Sequence, residues 1–204
     1  MYLNNILILL VLTLLIFSSQ ACATPMNRSN AMKHAQIAVQ ASSMGDWDSS
    51  RREWAKAVVN ADLGNLEAPQ RAVFYYEYGR SAGVTCFFDI AEDYLNKSYE
   101  LDAEIGGPSV LSLVELFRLN LDQKKYKEAV EYFKKALPEL EKLNAPKESP
   151  AEFSKLLEEY AIALKVINNK EESKKIEARA LKVRKSAKHS ITDRTPYGSK
   201  CTNK

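Results

Sequence analysis

The sequence predicts an all-α protein built from a row of similar helix pairs. Apolar residues recur at helical spacing from about residue 30 to residue 184, and no stretch alternates as a strand would. Prolines at positions 69, 108 and 150 each stand where such a stretch begins, because a first-turn proline costs no hydrogen bond. With seven glycines and seven prolines among 204 residues, the chain is not collagen-like, low-complexity or wholly disordered.

Residues 1–23 are predicted to form a secretory signal peptide, and the alternative is an uncleaved membrane anchor. This segment has no charged side chain, and its apolar run from Ile6 to Phe17 is 12 residues long. At about 1.5 Å per residue the run covers only ~18 Å, which is short of a ~30 Å hydrocarbon core. Small residues at Ser19, Ala21 and Ala23 have the spacing of a leader-peptidase site. Residues 24–30 are then expected to form a linker.

Cys22 is consistent with a second route of export, that of a lipoprotein. The stretch from Ser19 to Cys22 resembles the lipobox of bacterial lipoproteins, in which the cysteine thiol is acylated before cleavage. The alternatives are therefore a lipoprotein attached to a membrane face through Cys22 and a secreted protein cleaved after Ala23. Either route leaves Cys86 and Cys201 as the thiols of the mature chain, in a compartment that permits disulfides.

Four segments of the chain repeat one pattern of side-chain sizes. They begin near Ala31, Ala72, Val110 and Ser154, which gives spacings of 41, 38 and 44 residues. In the second helix of each pair a small residue recurs at one position and again seven residues later. The first set is Ser50, Ala91, Ala129 and Ser173, and the second set is Ala57, Ser98, Ala136 and Ala180. Because antiparallel helices approach closely only where side chains are small, the pattern predicts helix pairs that nest into a curved stack.

This pattern resembles the tetratricopeptide repeat (TPR) family over most of the chain after residue 30. The resemblance implies a right-handed α-solenoid of about four helix pairs at 31–184, followed by a basic tail at 185–204. The spacings exceed the ~34 residues usual in the family and are similar to its kinesin-light-chain-type variants. Three residues depart from the pattern: Phe117 is large, Glu177 is charged, and Pro138 is expected to kink or end its helix.

The resemblance also implies that the first helix of each pair lines a concave groove. Carried over residue by residue, the candidates for partner binding are Tyr76, Arg80, Val114, Arg118, Leu121, Glu158 and Lys165, with Met32, Ala35, Val39, Val73 and Ile162 at further groove positions. Arg80 and Arg118 fall at equivalent places on adjacent repeats, so they are predicted to bind a carboxylate or an acidic peptide. The alternative is that they pair with local acids such as Glu77 and Glu115. The Lys and Asn of the family's carboxylate clamp are absent, so that function is not expected.

The C-terminal tail differs in charge from the rest of the chain. Residues 182–204 hold seven Lys or Arg and one acid, whereas residues 24–181 hold 22 basic and 25 acidic side chains. The tail is expected to fold back on the array, to meet an anionic membrane or polysaccharide, or to stay solvated. From Lys185 the chain can extend roughly 55 Å to Cys201. That reach allows a disulfide with Cys86; free thiols and an intermolecular bond are the alternatives.

No pattern in the sequence predicts catalysis. Gly-rich phosphate loops, Gly-x-Ser-x-Gly elbows and His-Glu-x-x-His helices are missing, and two histidines with three cysteines suit no ordinary transition-metal site. We expect no enzyme, cofactor, metal or nucleic-acid partner. The prediction is a scaffold of the bacterial cell envelope, in the periplasm or on a membrane, that binds a protein or peptide with acidic groups. The alternative is a lipoprotein that acts as a structural or assembly factor through Cys22 and the basic tail.

Overall fold

The computed structural model describes residues 24–187 and 193–201. Within these ranges the regular structure is helical, and the helices form four antiparallel pairs, α1–α2, α3–α4, α5–α6 and α8–α9. The helices are α1 (24–43), α2 (Trp47–Leu63), α3 (Ala68–Val84), α4 (Phe88–Ile105), α5 (Val110–Asp122), α6 (Tyr126–Lys142), α7 (Ala145–Glu148), α8 (Pro150–Val166) and α9 (Lys170–Arg184). The predicted signal peptide, with Cys22, lies outside the described residues.

The pairs stack in the order of the chain. Each pair contacts the next one, α2 against α3, α4 against α5 and α6 against α8. The small residues predicted to permit this nesting are all buried, with at most 2% of each exposed. Where the small residue is a serine, its hydroxyl finds a partner: Ser98 donates to the Ala72 carbonyl and Ser173 to the Ala161 carbonyl, both at 2.9 Å. The predicted α-solenoid of four nested pairs is confirmed.

The turn inside each pair has the same backbone conformation. One residue per turn has a left-handed φ, and the next residue's N–H donates to a carbonyl five residues back at 2.9 Å. The left-handed residues are Gly45, Cys86, Lys124 and Asn168. This arrangement satisfies carbonyls that the helix end leaves without a partner. The repeat is therefore present in the backbone as well as in the side-chain sizes.

Aromatic side chains fill the core between the third and fourth pairs. Phe117, the large residue of the third pair, is fully buried, and its ring centroid lies 4.8 Å from that of Phe133. Phe133 continues the stack to Tyr160 of α8 at 4.5 Å. A large residue is accommodated here because the facing helix α6 contributes Ala129 and Ala136, both fully buried.

The structure bears on two expectations about where helices begin and end. Residues 24–30 are helical and not a linker. The Arg28 side chain holds them in place by donating to the carbonyls of Gly64 and Asn65 at 2.8 and 2.9 Å. Helix α6 does not end at Pro138 but continues to Lys142. Pro138 has no N–H to donate to the carbonyl of Lys134. Lys134 is exposed, so water can donate to this carbonyl instead.

Candidate functional site

The last described segment of the chain lies across the array. Residues 193–201, which we call the strap, pass over the first helices of three pairs in reverse order. Asp193 pairs with Lys155 of α8 at 2.8 Å. Arg194 makes two hydrogen bonds to Asp122 of α5 at 2.6 and 2.8 Å. Farther along, the Lys200 N–H donates to a carbonyl of α3 at 3.0 Å. Of the three fates expected for the tail, the structure has the one in which it folds back.

Tyr197 holds the strap in the array. Its side chain is 6% exposed, its hydroxyl donates to Glu115 Oε2 at 2.6 Å, and its N–H donates to Asp122 at 2.8 Å. The ring lies on Gly83, where any Cβ would overlap it, and close to Leu119. Burial and the neighbouring Glu115 charge raise the pKa of Tyr197 well above its ordinary value. The hydroxyl is therefore a permanent donor.

The two arginines predicted to bind a partner's carboxylate meet carboxylates of the chain itself. Arg80 and Arg118 each lie 3.5 Å from Glu115, one on either carboxylate oxygen. Arg118 also donates to Glu159 at 3.0 Å, and Arg194 of the strap lies 3.5 Å from the same residue. The alternative pairing with a local acid is thus what the structure contains. Together these groups form a charged network that includes Arg194 of the strap.

The other predicted groove residues differ in accessibility. Val114 departs from the prediction, because it is 7% exposed and belongs to the core; α5 is packed on nearly all sides. Leu121 packs partly against the same core. Glu158 pairs with Arg184 at 2.8 Å. Lys165 is exposed at the far end of α8.

An apolar pocket opens beside Tyr76, between α3, α4 and α5. Its volume is about 300 Å³, and its walls include Val73, Ile105 and Leu111. One carboxylate, that of Asp102, lines this cavity, which we call the Asp102 pocket. Asp102 is 8% exposed, and burial raises its pKa. The pocket therefore combines apolar walls with one desolvated acid.

Sequence reasoning missed Asp102, although a signal was present. Asp102 stands four residues after Ser98. At the corresponding position the first and third pairs have Ala61 and Leu140, both buried. The fourth pair has Arg184 at this position, so Asp102 is its one acid, and a buried carboxylate where two other pairs are apolar indicates a function or a special partner.

Cys86 and Cys201 lie together at the end of the strap. Their sulfur atoms are at disulfide distance and their Cα atoms are 5.2 Å apart. Cys86 is the left-handed residue in the turn between α3 and α4. The pairing therefore fixes the end of the strap to the edge of the second pair and closes a loop with a sequence separation of 115.

The described residues hold no cluster suited to a metal ion. No three His, Cys, Asp or Glu side chains in 24–187 and 193–201 converge in that way. His34 instead lies 2.6 Å from Glu53 across the first helix pair. Within the same ranges, no helix is both long and apolar enough to span a bilayer.

Solved structures share this arrangement of helices. The chain superposes on a point variant of nearly identical TPR-like repeats assigned to a kinesin light chain of Podosopora anserina, with a TM-score of 0.63 and 18% identity over 83% of this chain and 84% of that chain. The fold is a TPR-like repeat array. A second structure of such repeats gives a TM-score of 0.61 and 17% identity over 78% of this chain and 77% of the other. The resemblance to TPR repeats is thus confirmed at the level of the fold.

No family model matches the chain. No curated protein matches it either. The TPR-like array is therefore recognised by its geometry.

Proposed function

We propose that the protein is a non-catalytic scaffold that binds a segment of a protein partner along the part of the groove that the strap leaves uncovered. TPR-like arrays present extended concave surfaces suited to such segments. The observation that carries the proposal is a set of exposed apolar side chains on successive first helices. They are Val73 on α3, Leu111 on α5 and Ile162 on α8, each at least half exposed. We call these three residues the open groove.

The strap supports this proposal as an example of how the array holds an extended segment. It is bound by backbone hydrogen bonds to α3, by a buried tyrosine and by an arginine paired with Asp122. A partner segment can use the same kinds of contact. An acidic partner would have to compete with Glu115 and Glu159 for Arg80 and Arg118, so we place the main contacts at the open groove.

The location we propose is the bacterial cell envelope, outside the cytoplasm. The apolar run at 6–17 supports export. The approach of Cys86 and Cys201 to disulfide distance supports an oxidising compartment. A second candidate is a lipoprotein anchored through Cys22. The intact mass of the protein purified from bacteria separates the two, because acylation adds mass at Cys22 whereas a chain that begins at Thr24 has lost that residue.

Site-specific photo-crosslinking in living bacteria tests the scaffold. A photoreactive amino acid is placed at Val73 or at Ile162, which are 55% and 56% exposed. The matched control is Val59 on the second helix α2, which is 56% exposed. We expect one and the same protein to be captured from both groove positions and not from Val59. Capture from Val59 alone, or different proteins from the two groove positions, would contradict the proposal.

A further inference from the structure

Asp102 is a buried carboxylate without a cation. It lies in the last turn of α4 and is 8% exposed, and no side chain of the described residues makes an ion pair or hydrogen bond with it. Burial is the cause of its raised pKa, and no neighbouring charge contributes. The carboxyl end of a helix carries partial negative charge, which adds to the cost of a carboxylate and favours a cation. A positive group brought into this place would therefore relieve both unfavourable effects.

The surroundings of Asp102 define the kind of cation. Val73, Ile105 and Leu111 give the pocket aliphatic walls, and its volume of about 300 Å³ lies at the lower end of ligand sites. The other titratable residue in the lining is Tyr76, whose pKa burial raises, so that it is neutral at physiological pH. An apolar stem with a compact positive end matches a pocket of this composition.

The glycine turn after α4 leaves the carboxylate in the lining of the pocket. The Gly107 N–H donates to the Asp102 carbonyl at 2.7 Å, which holds the turn against the end of α4. A side chain at position 107 would come within 2.5 Å of Asp102 Oδ1, where glycine leaves space. The pocket and its acid are thus open to a group that enters from the groove.

We propose that the Asp102 pocket binds an alkyl ammonium group, supplied by a lysine side chain of the partner segment. This inference rests on the proposed function, since Val73 belongs both to the pocket and to the open groove. The four-carbon stem of lysine packs on aliphatic walls, and its ammonium offers three donors to the carboxylate. Acidic or aliphatic side chains would leave the Asp102 carboxylate without a donor.

Solution NMR of the ¹⁵N-labelled protein tests the pocket. The probes are an acetylated five-residue peptide with a central lysine, the same peptide with norleucine in its place, and n-pentylamine. We expect the lysine peptide to shift the amide resonances of Gly106 and Gly107 saturably, and the norleucine peptide to leave them unchanged. Asp102→Asn should weaken the binding of the lysine peptide at least tenfold, whereas Asp102→Glu, which keeps the charge, should retain it.

Glu104→Gln is the matched control. Glu104 lies two residues from Asp102 on the same helix but is exposed, so its substitution should leave the binding unchanged. Equal binding of the norleucine peptide, or undiminished binding to Asp102→Asn, would overturn the site. Pentylamine binding as tightly as the lysine peptide would overturn the assignment to a partner's side chain.

The failure of the pocket and the failure of the scaffold have different signatures. Crosslinking from Ile162 does not involve the Asp102 pocket. A partner captured there without lysine binding at Asp102 removes the pocket proposal alone. Lysine binding without any capture from the open groove removes the scaffold proposal.

Discussion

Truncation of Tyr197 is expected to release the strap from the array. The side chain is 6% exposed, its ring covers Gly83, and its hydroxyl donates to Glu115. Replacing a buried aromatic side chain by alanine costs about 3–5 kcal/mol. Tyr197→Ala should therefore lower the free energy of unfolding by that amount, which corresponds to a fall of about 6–20 °C in the thermal midpoint of a chain of this size.

Two further variants separate the ring from the hydroxyl. Tyr197→Phe keeps the ring and removes one hydrogen bond to a charged acceptor, so a loss of about 1.5–3 kcal/mol is expected. Gly83→Ala leaves Tyr197 intact but places a methyl group where the ring lies. It should therefore displace the strap and reproduce much of the effect of Tyr197→Ala.

Urea unfolding of the oxidised protein, followed by far-ultraviolet circular dichroism, measures these changes. Tyr99→Phe is the matched control, because Tyr99 is half-buried and its hydroxyl has no hydrogen-bond partner in the described part of the chain. Its substitution should change the free energy of unfolding by less than about 0.5 kcal/mol. If Tyr197→Ala gave as small a change, the strap would not be docked and the reasoning would be refuted.

The disulfide, the buried carboxylate and the close approach of α4 to Gly79 each support a prediction. Reducing the Cys86–Cys201 pair, with its separation of 115 residues, should lower the free energy of unfolding in urea by about 4–5 kcal/mol in the chain-entropy model; no change on reduction would argue against the pairing. Asp102→Asn should raise the thermal midpoint at neutral pH, because burial penalises only the ionised form of Asp102. The gain in the midpoint should vanish below the ordinary carboxyl pKa, where Asp102 is protonated in both the folded and the unfolded protein. A lower midpoint of the variant at neutral pH would contradict this. Gly79→Ala should cost about 1–3 kcal/mol in the urea assay, since its Cβ would lie 2.8 Å from Leu95 Cγ; unchanged stability would contradict it.

The nesting of the helices could be predicted because its cause is local. Small residues such as Ala91 and Ser98 recur seven apart on one helix, and a period of this kind is visible without knowledge of any distant contact. The left-handed residues of the turns are harder to foresee. Cys86 and Lys124 take a conformation that usually favours glycine, and it is the repeat, more than the residue type, that places them there.

The position of the strap could not be predicted in the same way. Arg194 and Asp122 are 72 residues apart in sequence, and no local pattern marks one as the partner of the other. The charge of the tail is compatible with folding back on the array, with binding an anionic surface and with remaining solvated. The sequence offers Glu115 as a local partner for Arg80 and Arg118, but only the folded arrangement shows that this one carboxylate lies beside both arginines.

The strap changes how the array is expected to unfold locally. In a linear stack each helix pair contacts only its neighbours, so pairs at the ends can unfold by themselves. The strap contacts α8, α5 and α3 and so links helix pairs that are not adjacent. The loop closed by Cys86 and Cys201 contains the third and fourth pairs. These pairs should exchange their amide hydrogens as one cooperative unit, while α1 and α2, outside the loop, are free to fray independently.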